Sequence, residues 1–372
     1  MSRLSVPFFD IKRQYQLVKK EVDRAWAEAF EKGVLIGGEV VISFERNFAR
    51  STQVEYCVSC GNGTDALELA LRALGIGPGD EVIIPAFTFF GNAEVVSIVG
   101  ANIKFVDILE SDFTLDPDKL EQAISKRTKA IIATHLYGLP CRMNEILAIA
   151  RKYDIKVIED CAQAHGAKLD GKSVGSFGDV GTFSFYPTKN LGAFGDGGAL
   201  ITNNAQLADK IRLLANHGQE AKNEHIIVGR NSRMDVLQAA VLDVKLKYLE
   251  QWNERRRQIA TEYNQHFAEL GYGLPGEFAG AKHVYHIYAI QYQQRHELFD
   301  FLQKRDIGVA IHYPKAIHQC EAYRFMNIRN EQFPVASKVA DSVLSLPVFP
   351  ELTDAEIKLV IQNLISFQKG IN

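Results

Sequence analysis

Two residues in suggestive surroundings indicate cofactor chemistry. Lys189 lies in the loop-like segment SFYPTKNLG, residues 184–192, and Asp160 ends the apolar run 156–160. A loop amine and a carboxylate at the end of a buried strand are the two groups that pyridoxal phosphate (PLP) requires. The amine forms a Schiff base with its aldehyde, and the acid pairs with its pyridinium nitrogen. A lone lysine is usually a solvated surface charge, so the prediction of a PLP site depends on the features around this pair.

A glycine-rich turn is a candidate phosphate site. Residues 59–67, SCGNGTDAL, run from a predicted strand into a predicted helix. Glycines allow the backbone to approach an anion, and the free N–H groups of a helix N-terminus bind phosphate. Thr64 or Asp65 could equally be a plain helix N-cap. The turn lacks the Lys-Ser/Thr pair of a P-loop and the glycine spacing of a dinucleotide site.

Further candidates follow two of the predicted strands. Phe89 lies just after the strand 81–84, at the edge where open α/β sheets bind ligands, and its ring could stack on a flat heterocycle or pack in the core. Gln163 and His165 follow Asp160 and could donate hydrogen bonds to a ring hydroxyl or a substrate, or simply begin a helix.

Bulk composition predicts a soluble enzyme-sized protein. The 372 residues, 47% apolar and 23% charged, indicate a globular protein of two domains. A net charge of -3 gives no electrostatic reason to expect nucleic acid or an anionic membrane as a partner. No window holds the ~20 apolar residues of a membrane span, and residues 1–10 lack the signal-peptide pattern. Five cysteines, an odd number, predict free thiols and a cytoplasmic location.

The cysteines and histidines do not form a metal motif. Cys57 and Cys60 have CxxC spacing, but in a predicted strand they point to opposite faces. Neither a second pair nor a nearby histidine completes a zinc set. His283 and His286 lack a carboxylate partner at metal-ligand spacing. We therefore predict no metal.

The alternation of β-rich and helical segments over the first 250 residues predicts an α/β layered fold. The N-terminal residues 1–9 are expected to be extended. Seven strands are predicted at 56–60, 81–84, 103–106, 130–134, 156–160, 180–185 and 198–202. Helices are predicted at 12–32, 64–74, 91–99, 117–123, 143–153 and 205–215.

Turn residues and hydrophobic periodicity predict the remaining elements. An Asp-Gly turn predicts a hairpin at 168–172, and a long amphipathic helix is predicted from Met234 toward Leu270, with the charge run 254–257 on its solvated face. Beyond it we predict strands at 284–292 and 308–312 and helices at 297–305 and 354–367. The domain boundary is placed inside the long helix, which gives a large domain at 1–245 and a small one at 246–372.

Taken together, these segments resemble the DegT/DnrJ/StrS family of PLP-dependent sugar aminotransferases over nearly the whole chain. The landmarks are GNGTDAL (61–67), GPGDEV (77–82), IEDCAQAHG (158–166), SFYPTKNLG (184–192), NSR (231–233) and HYP (312–314). The resemblance implies an α/β fold of the aspartate-aminotransferase type, fold type I. It also implies a large domain with a seven-stranded mixed sheet, a smaller C-terminal α/β domain, and a homodimer with shared active sites.

The resemblance also implies residue roles. Lys189 would hold PLP and carry a proton between the amino donor and the cofactor, and Asp160 would pair with the ring nitrogen. Other cofactor contacts would be Phe89 stacking on the ring, Gln163 at the ring hydroxyl and, at the phosphate, the N–H groups of Gly63, Thr64 and Asp65, the hydroxyl of Ser184, and Asn231 of the partner subunit. Nucleotide-sugar contacts would come from Tyr186, His312, Tyr313 and Arg233 of the partner subunit.

The implied reaction has two halves. L-Glutamate would give its amino group to the cofactor, which would then aminate a ketone on a nucleotide-linked sugar. The sequence of these segments is most similar to the branch of the family that acts at C3 of dTDP-3-keto-6-deoxyhexoses. That branch serves deoxyaminosugar biosynthesis for glycans such as lipopolysaccharide or S-layer glycan. A 4-ketosugar and a UDP-linked 3-ketosugar remain open.

Two functions of other classes are disfavoured by particular residues. A sugar dehydratase on this scaffold has histidine in place of the Schiff-base lysine, and Lys189 argues against it. A non-catalytic PLP-binding regulatory protein is disfavoured by the presence of Asp160, Lys189 and Asn231.

Overall fold

Short apolar runs alternate with amphipathic segments, and this pattern gives fourteen strands and twelve α-helices in the part of the chain that the computed structural model describes, residues 5–371. The strands are β1 (Tyr56–Cys60), β2 (Glu81–Pro85), β3 (Asn102–Val106), β4 (Thr128–Thr134), β5 (Lys156–Asp160), β6 (Lys168–Leu169), β7 (Lys172–Ser173), β8 (Val180–Ser184), β9 (Gly198–Thr202), β10 (Gln219–Ala221), β11 (Glu224–His225), β12 (Ala281–Lys282), β13 (Tyr288–Gln291) and β14 (Val343–Leu346).

The helices lie between the strands and, toward the C-terminus, around a second core. They are α1 (Ile11–Lys32), α2 (Glu39–Ser51), α3 (Gly63–Ala73), α4 (Gly91–Ile98), α5 (Pro117–Ala123), α6 (Met143–Lys152), α7 (Ala205–Ala215), α8 (Val236–Leu246), α9 (Leu249–Phe267), α10 (Arg295–Gln303), α11 (Pro334–Ser342) and α12 (Asp354–Ile371). No helix among residues 5–371 combines the length and the apolar character needed to cross a membrane.

Seven strands form one mixed sheet in the order β1-β9-β8-β5-β4-β2-β3. Neighbours from β3 to β8 run parallel, whereas β9 is antiparallel to both β8 and β1. The carboxyl ends of six strands therefore meet at one edge, which is where open α/β sheets bind ligands. The predicted fold class and all seven predicted sheet strands are confirmed, with ends that differ by at most two residues.

The pleat of β5 gives two adjacent carboxylates opposite surroundings. Ile158 packs with the core cluster under α3 and α4, whereas Val157 packs with the cluster beside α5 and α6. Since side chains alternate along a strand, Asp160 lies on the face of Ile158 and Glu159 on the other face. Both carboxylates are buried.

The C-terminal part of the chain has its own core. The two-stranded sheet β13-β14 packs with α9, α10 and α12 around apolar side chains, which include Tyr263, Tyr288, Phe349 and Val360. The N-terminal segment joins this core, because Val6 forms a parallel bridge with Ile307. Residues 1–4 of the segment predicted to be extended lie outside the described residues.

The prediction of one long helix from Met234 toward Leu270 is wrong. The chain forms α8 and α9, which are separated at Lys247 and Tyr248, where the backbone N–H groups bond three residues back rather than four. The two halves have different neighbours, since α8 packs on α1 and α2 while α9 packs on α12. One straight axis cannot serve both contacts. The domain boundary at residue 245 stays a prediction, and it lies next to this break.

Two predicted C-terminal strands are also shorter or irregular. The run 284–292 is regular only over β13, because Tyr285 adopts a positive φ of 43° that extended backbone cannot accommodate. The run 308–312 contributes an isolated bridge between Ala310 and Ser345. The charge run at 254–257 is not wholly solvated, since Arg256 is 2% exposed and donates to the carbonyls of Val348 and Tyr285.

Local turn chemistry and thiol state agree with the predictions. The hairpin at 168–172 forms as β6-β7, with Asp170 and Gly171 both at positive φ, as a type I′ turn requires. All five cysteines are free thiols, and Cys57 and Cys60 belong to different core clusters on the two faces of the sheet.

Candidate active site

The amine of Lys189 lies in the wall of a cavity of about 850 Å³ at the carboxyl edge of the sheet. The loop that carries it follows β8 and is held by two backbone hydrogen bonds, Lys189 N–H to Tyr186 O at 2.9 Å and Ala193 N–H to Phe185 O at 2.8 Å. Burial lowers the pKa of Lys189 to about 8, while the charge of Asp160 acts in the opposite direction. The amine is therefore much closer to its neutral, nucleophilic form than a surface lysine.

Asp160 presents its carboxylate to the same cavity from the end of β5. Its Oδ1 accepts the N–H of Ala162 at 3.0 Å. Burial raises its pKa, and this effect outweighs the opposing effects of the Ala162 N–H group, Lys189, Asn92 and His135. A buried carboxylate in this state is stabilised by any cation that enters the cavity beside it.

Lys189 and Asp160 face one cavity without an ion pair between them, since the ion pairs of residues 5–371 do not include this one. Among the described residues neither group forms an ion pair, although the charge of each shifts the pKa of the other toward its charged form. A ring with an aldehyde for the amine and a protonated nitrogen for the carboxylate satisfies both. This arrangement of side chains fits PLP.

One wall of the cavity is a preformed anion cradle. Helix α3 begins at Gly63, and the N–H groups of its first turn have no acceptor within the helix. A Cβ on Gly63 would lie 2.5 Å from the Cβ of Ser184, so only glycine lets the helix approach the Ser184 hydroxyl this closely. Gly63, Thr64 and Ser184 all line the cavity.

Asp65 makes contacts within the protein that the sequence does not predict. Its N–H donates to the capping side chain of Asn62 at 2.8 Å, so this group is already used. Its carboxylate accepts from Ser232 at 2.6 Å and pairs with Arg230 at 2.8 Å. Asp65 thus connects the start of α3 to the segment that precedes α8. The N–H group of Asp65 is engaged by the helix cap, and its predicted contact with a phosphate stays a prediction.

Phe89 and Gln163, the residues predicted to contact the cofactor ring, both line the cavity. Phe89 follows β2 and is 51% exposed while it lines the cavity, so its ring face is open for stacking. Gln163 is fixed by two hydrogen bonds, since Oε1 accepts the N–H of Tyr137 at 2.7 Å and Nε2 donates to the hydroxyl of Tyr313 at 3.0 Å.

The residues predicted to contact sugar separate into two groups. Tyr186, His312 and Tyr313 line the cavity. Arg233, like the predicted phosphate ligand Asn231, is exposed and does not line the cavity of its own chain. Arg233 instead donates to the side chain of Asn216 at 3.1 Å.

Sequence reasoning missed several cavity residues, among them His286 and Arg256. His286 Nε2 lies 3.5 Å from Lys189 Nζ, although the two residues are 97 positions apart. Arg256 lies in a helical charge run whose sequence pattern suggested exposure. No local signal marks His286, because its neighbours arise only from the packing of the segment before β13 against the Lys189 loop.

The buried cluster of His135, Glu159 and Cys161 has the spacing of a metal site but the hydrogen bonds of a structural one. His135 Nδ1 accepts the N–H of Cys141 at 2.9 Å, so the proton is on Nε2, which donates to Glu159 at 3.0 Å. The imidazole has no lone pair left for a metal. Glu159 also accepts three backbone N–H groups, at Gly175, Phe177 and Gly178.

Comparisons with known proteins point to one aminotransferase family. The family model of the DegT/DnrJ/EryC1/StrS aminotransferase family matches residues 16–365. Among solved structures, that of DesV from S. venezuelae in complex with a ketimine intermediate has a TM-score of 0.96 and 40% identity, and it covers 98% of both chains.

Three similar relatives are known by name. One is a UDP-N-acetyl-3-dehydro-alpha-D-glucosamine 3-aminotransferase of Acidithiobacillus ferrooxidans, 43% identical over 95% of each chain. Another is a dTDP-3-amino-3,6-dideoxy-alpha-D-galactopyranose transaminase of Aneurinibacillus thermoaerophilus, 42% identical over 96% of this chain and 98% of its own. The third is a pleiotropic regulatory protein of Geobacillus stearothermophilus, 42% identical over 98% of this chain and 99% of its own.

A family match over nearly the whole length and relatives above 40% identity lead to one assignment. The chain belongs to the DegT/DnrJ/EryC1/StrS aminotransferase family.

Proposed function

We propose that this protein uses PLP to move an amino group from L-glutamate to C3 of a nucleotide-linked 3-ketosugar. The observation that carries the proposal is that the buried side chains of Lys189 and Asp160 line one cavity. The names of both transaminase relatives place the transferred amino group at C3 of the sugar. This favours a 3-ketosugar over a 4-ketosugar. We retain dTDP-3-keto-6-deoxyhexose as the first candidate and a UDP-linked 3-ketosugar as the second.

Each residue of the cavity has a defined task in this proposal. When bound, PLP supplies an electron-withdrawing ring that stabilises negative charge on the carbon next to the transferred nitrogen. Lys189 anchors it and then holds and moves the proton taken from that carbon. Asp160 keeps the ring nitrogen protonated, while Gly63, Thr64 and Ser184 orient the phosphate. Phe89 covers one face of the ring and excludes water from it.

The substrate can be tested from the product side, where the compounds are stable. Protein loaded with PLP should lose the visible absorbance of its lysine-bound cofactor when a dTDP-3-amino-3,6-dideoxyhexose is added, and regain it with 2-oxoglutarate. A UDP-3-amino sugar and a dTDP-4-amino sugar are run in parallel. A response to the 4-amino sugar alone would contradict C3 transfer. If neither L-glutamate nor any of the amino sugars produces a change, the alternative of a non-catalytic PLP-binding regulatory protein is favoured over an aminotransferase; one relative is named a pleiotropic regulatory protein.

We further propose that the working form is a homodimer whose sites are shared. Asn231 and Arg233 are exposed on the surface of their own chain rather than placed in its cavity. Apolar side chains are exposed on the segments around these two residues. Val228, which follows the hairpin 219–225, is 84% exposed. Leu35 and Ile36 before α2, where Ile36 forms a bridge with Asp235, are 44% and 47% exposed. Exposed apolar clusters of this kind mark contacts between proteins. A second copy would cover them and could bring Asn231 and Arg233 to the opposite cavity.

Subunit mixing tests the shared site. A Lys189→Ala chain and an Asn231→Ala/Arg233→Ala chain should each be inactive. Random exchange of equal amounts makes half of the dimers mixed, each with one intact site of two, so about a quarter of the wild-type activity should return. The matched control mixes Lys189→Ala with Asp160→Asn, two lesions that both belong to a chain's own cavity, and no activity should return. Equal recovery in both mixtures, or none in either, would argue against shared sites.

A further inference from the structure

The imidazole of His286 lies next to the Lys189 amine, and the proposed function gives it no role. It is 7% exposed and lies in the irregular segment just before β13. Its Nε2 is 3.5 Å from Lys189 Nζ, at the outer limit of a hydrogen bond. A nitrogen at this distance either donates to the amine or accepts from it, and the surrounding hydrogen bonds decide which.

A chain of amide hydrogen bonds fixes the tautomer. Asn253 Nδ2 donates to the backbone carbonyl of His165 at 2.8 Å, so its Oδ1 faces Asn190. Asn190 Nδ2 donates to that oxygen at 2.8 Å and to the carbonyl of Val284 at 3.0 Å. Both amide orientations are set by backbone carbonyls, which can only accept. The Oδ1 of Asn190 is therefore the atom that faces His286.

That orientation determines the state of the imidazole. Asn190 Oδ1 lies 3.1 Å from His286 Nδ1, and because an amide oxygen can only accept, Nδ1 carries the proton. In the neutral ring, Nε2 then has a free lone pair directed at Lys189. The arrangement resembles the second-shell bonds that fix a catalytic histidine, although here the histidine serves a lysine.

The charged and titratable groups around His286 keep it neutral. Burial lowers its pKa well below the ordinary value, and the nearby Lys189, Arg256, His312 and His165 act in the same direction. Asp160, an acid that lines the same cavity, raises the pKa of Lys189. His286 consequently does not compete with Lys189 for a proton at neutral pH.

We propose that His286 is a positioning residue that accepts a hydrogen bond from the Lys189 amine through Nε2 whenever that amine is not covalently bound to the cofactor. This inference rests on the proposed role of Lys189. In the amino-transfer cycle the lysine is released and holds a proton between two steps, and a flexible four-carbon side chain would otherwise swing away. The fixed lone pair of His286 keeps the ammonium directed at the cavity and stabilises its charged form.

The test uses cofactor-free protein, so that it does not depend on turnover. The rate at which Lys189 reacts with fluorodinitrobenzene is measured against pH by peptide mass spectrometry, which yields the pKa of its amine. In His286→Asn the side-chain amide reaches the position of Nδ1 and keeps the contact with Asn190, but no acceptor remains at Nε2. Because a hydrogen bond to the charged form raises a lysine pKa, its loss should lower that pKa by about one unit.

Two further variants separate positioning from general packing. His286→Gln places an amide oxygen at the position of Nε2 and should restore the pKa of Lys189 to within about 0.3 of the wild-type value. His283→Asn removes another buried imidazole, 2% exposed and stacked on Tyr285, and should leave the pKa of Lys189 unchanged. An unchanged pKa in His286→Asn, or equal shifts in the Asn and Gln variants, would overturn the inference. If the pKa of Lys189 falls as expected in His286→Asn but the wild-type protein does not respond to glutamate, the result counts against the proposed function alone.

Discussion

Lys189→Ala is expected to lower the rate of amino transfer by at least about 10⁴-fold, because the covalent anchor and the group that moves the proton are lost together. The amine it removes is the one whose pKa burial lowers to about 8. Single turnover with L-glutamate, followed by the loss of visible absorbance and by 2-oxoglutarate formation, measures the effect. Borohydride reduction of the wild-type protein should attach the cofactor to this residue.

Two control lysine variants isolate the chemistry. Lys189→Arg keeps a cation in the cavity but offers no nucleophile, so it should be as inactive as Lys189→Ala. Lys247→Ala removes a surface lysine, 64% exposed at its side chain, that pairs with Glu21, and it should react at the wild-type rate. Turnover by Lys189→Ala within tenfold of the wild-type rate would contradict the assignment of this residue.

The sheet could be predicted because its local and global signals agree. Several of its seven strands are short apolar runs bounded by turn residues, and strands buried on both faces have this appearance. Helix α2 was not predicted, although Val41, Phe44 and Phe48 have helical spacing and are buried. The sequence does not predict the break between α8 and α9, because both halves keep a helical pattern. Only their different packing partners separate them.

The candidate site divides in the same way. Lys189 and Asp160 could be found because each lies in a segment whose type and position limit its chemistry. The use of Asp65 as a partner of Ser232 and Arg230 could not be foreseen, because these contacts join positions more than 160 residues apart. His286 likewise acquires its contact with Lys189 only in the folded chain. Long-range polar contacts leave no periodic signature in the sequence.

Asp160→Asn is expected to slow amino transfer by about 10²- to 10³-fold, the loss typical of removing one preorganised electrostatic group. The amide has the shape of the carboxylate but cannot keep a ring nitrogen protonated. The variant should still bind PLP at Lys189. Its rate with L-glutamate is compared with the wild-type rate under single turnover, and a fall of less than tenfold, about 1.4 kcal/mol, would contradict the assignment.

The neighbouring carboxylate supplies the matched control, because β5 turns Glu159 to the opposite face of the sheet. Glu159 accepts three backbone N–H groups and the His135 proton. Glu159→Gln replaces an accepting oxygen by a donor, so it should lower the free energy of unfolding by about 1–3 kcal/mol. The folded fraction should nonetheless turn over at nearly the wild-type rate.

The cofactor-free protein should respond to Asp160→Asn in the opposite sense from its activity. Burial raises the pKa of Asp160, so the charged carboxyl is less favourable in the folded chain than in the unfolded one. This unfavourable contribution is absent below the ordinary aspartate pKa and fully present above the raised one. At pH 7 the cofactor-free Asp160→Asn protein should therefore unfold at an equal or higher urea concentration than the wild type. If the variant is slower and also less stable, Asp160 supports the fold. If it is slower but more stable, the buried carboxylate destabilises the folded protein and is needed for the reaction.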